Sequence, residues 1–330
     1  MQQGMLSSLL LTTSLLFGPV LVSAQEMQTE TAQQWLQDQQ VHSKVAELLE
    51  YVARDQTNEL KFALERLALP QQEVVRFLLL DKLEKQDVIL TPRMAIFVES
   101  QIKMIPSYQV VEKGDGYEFT VPAFNYPAVA NRLLKRWKQD QTTLDFILAA
   151  ERGELQLQTW LAGPQSLVQM REALLIRELD SLSPEALDGL VKQLTATPLT
   201  TWLPPSPVVV RLAQVSEEAE MYNLLWRMKA DHVSQNELER LASVGDDFSW
   251  RQIMSSTQNP SLKAQAITLL TKANPLTAEV KQFLITRMAL PDDAPLVARE
   301  LAKQGHSSWL EEVIAGNNRV KRGLILQALQ

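Results

Sequence analysis

The apolar residues of this chain recur at helical spacing. Five of them lie at i, i+4, i+7, i+8 and i+11 between residues 41 and 52, and the same spacing returns between residues 262 and 273. Residues with this spacing share one face of an α-helix, so each stretch predicts an amphipathic helix with one buried side. The two sets are Val41, Val45, Leu48, Leu49 and Val52, and Leu262, Ala266, Leu269, Leu270 and Ala273.

Between these helices the sequence carries several helix start signals. Thr91-Pro92 and Ser183-Pro184 each offer a hydroxyl N-cap followed by a proline at the first helical position, where its missing N–H costs nothing. Ser234 and Glu237 have the spacing of a capping box, in which each side chain satisfies a backbone N–H of the first turn. These signals predict many short helices.

The last third of the chain repeats at intervals of one helical hairpin. Alternate predicted helix starts are about 30 residues apart, close to the length of a solenoid repeat. The segments 259–266, 296–302 and 75–83 resemble helices of HEAT-type repeats, within the HEAT and armadillo class of helical-repeat proteins. The predicted starts lie near Ser261, Thr277, Asp293, Ser307 and Arg319.

The resemblance to HEAT-like proteins covers residues 30–105 and 215–330 and concerns the fold. It implies an all-α chain, built as an irregular α-solenoid of helical repeats. An irregular helical bundle is the alternative. Stacks of helix pairs form extended surfaces that hold peptides or proteins, so the resemblance implies a binding function by analogy of architecture.

A β-hairpin is predicted to interrupt the helices at about residues 108–121. Two runs rich in aromatic and β-branched residues flank the turn sequence Lys113-Gly114-Asp115-Gly116. A turn on Gly114-Asp115 pairs Val110 with Phe119, whereas a turn on Asp115-Gly116 pairs Val110 with Val121. The two registers differ by two residues, so both keep the same side chains on one face. That face holds Tyr108, Val110, Tyr117, Phe119 and Val121.

A second interruption is rich in proline. Four prolines lie within residues 197–207, and no helix can run through them. We therefore predict a linker between an N-terminal helical region at 25–196, which carries the hairpin, and HEAT-like repeats at 208–330. Trp202 and Leu203 indicate that part of this linker packs against a core.

The first 24 residues have the features of an export signal. They carry no charged side chain, and they combine the leucine-rich run Leu9–Leu16 with a helix-breaking Gly18-Pro19 and small residues before Gln25. This pattern is typical of a signal peptide cleaved after Ala24, and it predicts a periplasmic protein. The segment lacks an N-terminal Lys or Arg, so the alternative is an uncleaved inner-membrane anchor over Met5–Ala24, with the protein facing the periplasm.

The composition narrows the classes of partner and chemistry. The 330 residues have a formal net charge of −7, which argues against a nucleic-acid partner. The chain has no Cys, which removes disulfides, thiolate metal sites and lipoprotein acylation. Gly is scarce at 11 residues, and 45% of residues are hydrophobic, as expected for a folded helical protein.

No motif predicts a cofactor or a metal site. His42, His232 and His306 are far apart and have no metal-ligand spacing, and the sequence has no glycine-rich phosphate-binding motif. The dipeptide Glu99-Ser100 resembles the Glu-Ser of lytic transglycosylases, where the Glu is the general acid, but the motif expected downstream is missing. A peptidoglycan-acting enzyme, or its helical portion, with Glu99 as acid is therefore an alternative to a non-catalytic protein.

Aromatic and basic residues cluster around and after the hairpin. Tyr, Trp and Arg are enriched at binding hot spots, and the edge of a hairpin can accept an extended peptide. We therefore expect a non-catalytic protein that binds or scaffolds a protein or peptide partner in the cell envelope. One alternative is a structural protein that self-associates through the hairpin, and another is a hairpin that only caps the helical stack. The candidate binding residues are Tyr108, Tyr117, Phe119, Phe124, Tyr126, Arg132, Lys135, Arg136 and Trp137.

Overall fold

The computed structural model of the chain describes residues 25–114, 116–196 and 202–330. The predicted signal peptide lies outside these residues. The described residues form eighteen α-helices and one small three-stranded sheet. This confirms the prediction of an all-α helical array with one inserted β-hairpin. Among the described residues, no helix combines the length and apolar character needed to cross a bilayer.

The chain divides into two compact units, one ending at Gln141 and one running from Thr142 to Gln330. We call them unit 1 and unit 2. Helix α6 (Tyr126–Glu151) begins in the first and ends in the second. Each unit has its own cluster of buried apolar side chains. This division differs from the predicted boundary at 197–207, because the helices on either side of that segment both belong to unit 2.

Unit 1 packs five helices, the first part of α6 and the sheet around one apolar core. The stripe predicted from Val41 to Val52 lies on α2, where Val41, Val45 and Leu48 are buried. Thr91 caps α5 as predicted, since its Oγ1 accepts a hydrogen bond of 3.1 Å from the Met94 N–H. The elements before α6 are β1 (Gln25–Glu26), α1 (Thr29–Gln37), α2 (Gln39–Ala53), α3 (Thr57–Glu65), α4 (Gln71–Lys85), α5 (Pro92–Ile102), β2 (Tyr108–Gly114) and β3 (Tyr117–Pro122).

Unit 2 is a stacked array of helical hairpins. Even-numbered helices from α8 to α18 contact one another in succession, and odd-numbered helices from α9 to α15 do the same, which gives two layers. After α6 come α7 (Leu157–Trp160), α8 (Gln165–Glu178), a 3-10 turn at Leu179–Ser181, α9 (Pro184–Thr195), α10 (Ser206–Ser216), α11 (Ala219–Arg227), α12 (His232–Val244), α13 (Asp247–Ser256), α14 (Lys263–Lys272), α15 (Ala278–Met288), α16 (Ala294–Lys303), α17 (Ser307–Gly316) and α18 (Arg322–Ala328).

The predicted helix starts of the last third match α14 to α18 within three residues. The apolar stripe from Leu262 to Ala273 is buried on α14, which packs against α12, α13 and α16. Such a period arises because one helical hairpin cannot bury its apolar face alone and must stack on its neighbours. The helical-repeat character predicted from the sequence is therefore present in unit 2.

The sequence predicted two helix caps in unit 2, and the structure confirms one of them. Ser183 caps α9 as predicted, accepting a hydrogen bond of 3.2 Å from the Ala186 N–H. The capping box predicted at Ser234 and Glu237 is wrong. Asp231 is the N-cap of α12 and Ser234 is the third helical residue of the box, so the box lies one turn earlier. Glu237 is buried instead and takes part in a side-chain network.

The proline-rich segment is only partly a connection. Residues 197–201 lie outside the described part of the chain, while Ser206 and Pro207 already belong to α10. Trp202 packs against the core of unit 2, as the sequence indicated.

Candidate functional site

The hairpin has the second of the two predicted registers. Val110 pairs with Val121, and Gly114 pairs with Tyr117, which is the register expected for a turn on Asp115-Gly116. Gly116 has a φ of +89°, a backbone conformation that favours glycine at this turn. Asp115 itself lies outside the described residues.

The sheet has an open edge along β3. The strand order is β1-β2-β3, so β3 pairs with β2 on one side and with no described strand on the other. Ala123 N–H donates to the Tyr108 carbonyl at 2.9 Å, which identifies that pair as hydrogen-bonded. Hydrogen-bonded and non-hydrogen-bonded pairs alternate along an antiparallel ladder. The backbone groups of Glu118 and Thr120 therefore point away from β2. We call these groups the β3 edge.

The base of the hairpin is anchored to the rest of unit 1. The buried Glu73 carboxylate of α4 accepts hydrogen bonds from the backbone N–H of Ser107 at 2.6 Å and of Tyr108 at 3.4 Å. The Gln25 N–H donates to the Ser107 carbonyl at 2.8 Å, where β1 pairs with β2 in parallel. Val110 completes the anchor by packing into the core. The β3 edge therefore belongs to a hairpin that is fixed at its base.

The tip of the hairpin carries two exposed aromatic rings. Tyr117 is 65% exposed and Phe119 is 39% exposed, and their ring centroids lie 5.8 Å apart. Both rings rest on Gly114, where an added Cβ would lie 3.3 Å from each. The missing side chain at Gly114 therefore leaves room for both rings, and both remain partly exposed to solvent.

Three other predicted aromatic residues have packing roles. Phe124 and Tyr126 are buried in the core of unit 1, and Tyr108 is half-buried against it. Burial raises the pKa of Tyr126 to about 12, with the charge of nearby Glu73 as a further cause. These side chains support the hairpin from below, so the exposed aromatic surface is reduced to Tyr117 and Phe119.

The predicted basic cluster on α6 is largely paired with acidic groups of unit 1. Arg132 forms two hydrogen bonds of 2.7 Å with Glu84, which holds the pKa of that carboxyl below its usual range. Arg136 pairs with Asp87 at 2.6 Å.

Of the remaining predicted residues on α6, Trp137 Nε1 donates to the Leu90 carbonyl at 3.0 Å, while Lys135 is exposed. The cluster therefore acts mainly to join α6 to the segment after α4.

Sequence reasoning missed the residues that define the β3 edge. Glu118 and Thr120 are not among the candidate binding residues, although their backbone positions carry the open groups. Their outward direction depends on the register, which the turn sequence left open between two choices. Glu73 was missed because its contact with Ser107 spans 34 residues and has no local signal.

The candidate catalytic and metal-binding residues remain separate. Glu99 lies on α5 with its side chain 51% exposed and pairs with Lys103 at 3.9 Å. His42 and His306 each contact a backbone carbonyl through Nε2, at 2.9 and 3.0 Å. Across residues 25–114, 116–196 and 202–330, no group of three or more His, Asp or Glu side chains is placed to hold a metal ion.

A buried polar network lies in unit 2, where α10, α11 and α12 meet. Both oxygens of Glu237 are satisfied: Oε1 accepts from the Tyr222 hydroxyl at 2.8 Å and from Arg240 at 2.7 Å, and Oε2 accepts from Gln214 at 2.6 Å and from Arg240 at 2.8 Å. Burial and the adjacent Glu237 raise the pKa of Tyr222. Because its partners saturate the carboxylate, this network is a structural joint between helices.

A cleft of about 770 Å³ in unit 2 lies between the ends of α11 and α13. Asn259 donates to the carbonyls of Trp226 at 2.9 Å and Met228 at 3.0 Å, and Ser255 donates to Asn223 at 3.1 Å. These bonds tie one helical hairpin to the next. The polar lining of the cleft therefore has a structural explanation.

Comparison of the chain with protein-family models, with curated proteins and with solved structures finds no match.

Proposed function

We propose that this protein is an exported, non-catalytic helical-repeat protein that binds a protein or peptide partner in the cell envelope. The observation that carries the proposal is the β3 edge, where open backbone groups lie beside two exposed aromatic rings. Export is proposed from residues 1–24 alone, whose composition is that of a cleaved signal peptide.

An open strand edge binds extended segments by strand addition. The incoming backbone takes up the unpaired N–H and C=O groups, and side chains at alternate positions fill adjacent pockets. Natural proteins usually protect such edges with charges, prolines or covering elements, because an open edge invites pairing with other chains. Here Pro122 and the charged side chain of Glu118 are features of this protective kind, but the backbone groups of Glu118 and Thr120 have no described strand beside them.

The hairpin is suited to this role because its base is already ordered. Glu73, β1 and the buried Val110 hold β2 before any partner arrives. A preorganised strand loses less conformational entropy on binding than a flexible loop does. Tyr117 and Phe119 add apolar area beside the ladder, which favours a partner with apolar residues at alternate positions.

Site-specific photo-crosslinking in cells tests this proposal. A photoreactive residue in place of Glu118 is expected to capture a discrete protein partner, whereas the same residue in place of the exposed Lys61 on α3 serves as the control position. A second substitution, Thr120→Pro, removes an edge donor and is expected to abolish the crosslink, while Thr120→Ala retains it.

Identical crosslinks from both positions, or crosslinks that survive Thr120→Pro, would overturn the binding proposal. Sequencing the N-terminus of the same purified protein tests export separately. A mature chain beginning at Gln25 is the expected result, and an intact Met1 would instead indicate the uncleaved anchor.

A further inference from the structure

We propose that signal cleavage after Ala24 creates a charged group that unit 1 is arranged to hold. The group is the new α-ammonium of Gln25, which donates to the Ser107 carbonyl on the opposite side of one peptide group from the buried Glu73 carboxylate. This inference rests on the proposed function, because it requires export and cleavage at that position. It names the group that strengthens the base of the hairpin.

The predicted mature chain begins inside the sheet. β1 comprises Gln25–Glu26, and Gln25 pairs with Tyr108 of β2. One residue further on, the Met27 N–H donates to the Gln109 carbonyl at 2.7 Å, and the Met27 side chain is buried. Chain ends are poorly ordered unless a structural element ties them down. Cleavage before Gln25 therefore leaves a terminus that is already fixed in position, with no loose residue ahead of it.

A single peptide group separates the new terminus from the carboxylate. The Ser107 carbonyl accepts from the Gln25 N–H at 2.8 Å, and the Tyr108 N–H of the same peptide group donates to Glu73 Oε2 at 3.4 Å. In a trans peptide the C=O and N–H bonds point in opposite directions. A cation at the carbonyl end and an anion at the N–H end therefore both align with the dipole of this peptide, and each strengthens the hydrogen bond of the other.

The Glu73 carboxylate has no directly paired cation without the new terminus. It is 3% exposed, both of its hydrogen bonds come from backbone N–H groups, and no side chain in the described part of the chain forms a salt bridge with it. Arg76 follows one turn later on α4, but it donates to Gln101 Oε1 at 2.9 Å instead. Buried charges are costly unless opposite charge lies near them. The Gln25 ammonium adds such a charge.

The charge strengthens the support of the β3 edge. In the uncleaved chain the Gln25 N–H is a neutral amide donor, whereas in the cleaved chain it belongs to a cation. Charge-assisted hydrogen bonds are roughly twice as strong as neutral ones. Because β1 holds β2 and β2 holds β3, a firmer base preorganises the edge for a partner. Cleavage during export thus completes the hairpin in the compartment where the partner is expected.

Hydrogen exchange on two chains with natural side chains tests this inference. One chain covers residues 25–330 with a free α-amine on Gln25, and the other keeps Ala24, so that Gln25 retains a neutral amide N–H and the charge moves one residue away. Both are released from a fusion by a protease that leaves no extra residue. Mass spectrometry verifies that Gln25 has not cyclised with loss of ammonia, which would remove the charge.

The amides of residues 107–109 report the opening of the hairpin base. We expect them to exchange about fivefold more slowly in the chain that begins at Gln25, which corresponds to about 1 kcal/mol. Amides of α14 in unit 2 are the internal control and should exchange equally in both chains.

Substitution of the carboxylate identifies its role. In Glu73→Gln the difference between the two chains should fall below about twofold, while Glu112→Gln, an exposed change on β2, should leave it unchanged. If Glu73→Gln does not fold, the natural chains are compared at about 1 M NaCl, where the screening length is only about 3 Å and the difference should shrink.

Equal exchange of residues 107–109 in the two natural chains overturns the inference, and a fivefold difference that persists in Glu73→Gln or in about 1 M salt overturns the role of the charge. If exchange is equal but cells yield a chain beginning at Gln25 that crosslinks from position 118, the proposed function stands alone. An intact Met1 in cells overturns the proposed export and, with it, this use of the site.

Discussion

The polar groups of the Glu237 network in unit 2 are hydrogen-bonded to one another, whereas the backbone groups at the β3 edge of unit 1 are open. In the network, Tyr222, Gln214 and Arg240 together satisfy both oxygens of a buried carboxylate. At the edge, the backbone groups of Glu118 and Thr120 have no strand beside them among the described residues.

This difference distinguishes polar groups that stabilise the fold from polar groups that can bind a partner. A polar group satisfied within the fold contributes to stability and specifies how helices join. A polar group that is left open, on a strand held rigid from below, contributes little to the stability of the monomer and remains available to a partner. Sequence composition alone does not distinguish these two cases, because Glu and aromatic residues occur in both.

The largest difference in the free energy of unfolding is expected between alanine substitutions of two phenylalanines five positions apart. Phe124→Ala should lower the free energy of unfolding by about 4 kcal/mol, because it leaves a cavity around a fully buried ring. Phe119→Ala should lower it by less than about 1 kcal/mol in the monomer. Urea unfolding of both variants at a dilution that favours monomers measures the difference. Equal losses would mean that Phe119 is a core residue.

Substitutions of two glutamates on α12, one buried and one exposed, test the contribution of the Glu237 network to stability. In Glu237→Gln the new amide NH₂ must face an Arg240 N–H, whichever oxygen it replaces, so we expect a loss of about 3 kcal/mol. Glu239→Gln makes the same chemical change at an exposed position and should alter stability by less than about 0.5 kcal/mol. Chemical denaturation reports both, and a neutral Glu237→Gln would show that the network is dispensable.

Alkaline pH should weaken unit 1 through Tyr126. Its pKa is about 12 in the folded chain, because burial disfavours the phenolate, while an unfolded tyrosine ionises near ~10. The stabilising contribution is therefore complete below about pH 10 and is lost as pH rises towards 12, by about 1.4 kcal/mol per pH unit in that window.

Tyr126→Phe removes this dependence. Its stability should fall less steeply than that of the natural chain between about pH 10 and 12, whereas the difference between the two proteins should be constant from about pH 7 to 9. Denaturant titrations at each pH measure the two slopes. Parallel slopes above pH 10 would contradict the assignment.

The smallest effect is expected from the paired cations of α6. Arg132→Gln removes an exposed ion pair and should cost about 0.5 kcal/mol at neutral pH and low salt. The Glu84 pKa is lowered by Arg132, so this contribution is present above the unfolded carboxyl pKa of about 4.3 and is lost as pH falls through the folded value. Thermal unfolding at neutral and acidic pH tests it, and a difference that persists in acid would assign Arg132 another contact.

Much of the local structure followed from short stretches of sequence. The buried face of α2, the caps at Thr91 and Ser183, the helix starts of the last third and one of two hairpin registers were all predicted. Each depends on residues within a few positions of one another, where spacing and capping chemistry act directly.

The candidate site was predicted less completely. The nine proposed residues share composition and proximity in sequence, but Phe124 and Tyr126 fill the core while Tyr117 and Phe119 remain exposed. Arg132 meets a carboxylate 48 residues away. Such contacts have no periodic signal in the chain, because they depend on which helices pack together.

By itself, the sequence determined that this chain forms short helices repeating about every 30 residues, with one hairpin between them. It did so because helix periodicity, caps and turn residues are properties of neighbouring positions. Only the tertiary structure decided which polar groups are satisfied internally and which strand edge stays open. Those outcomes depend on contacts between residues distant in the chain, such as Glu73 with Ser107, and hence on the packing of whole elements.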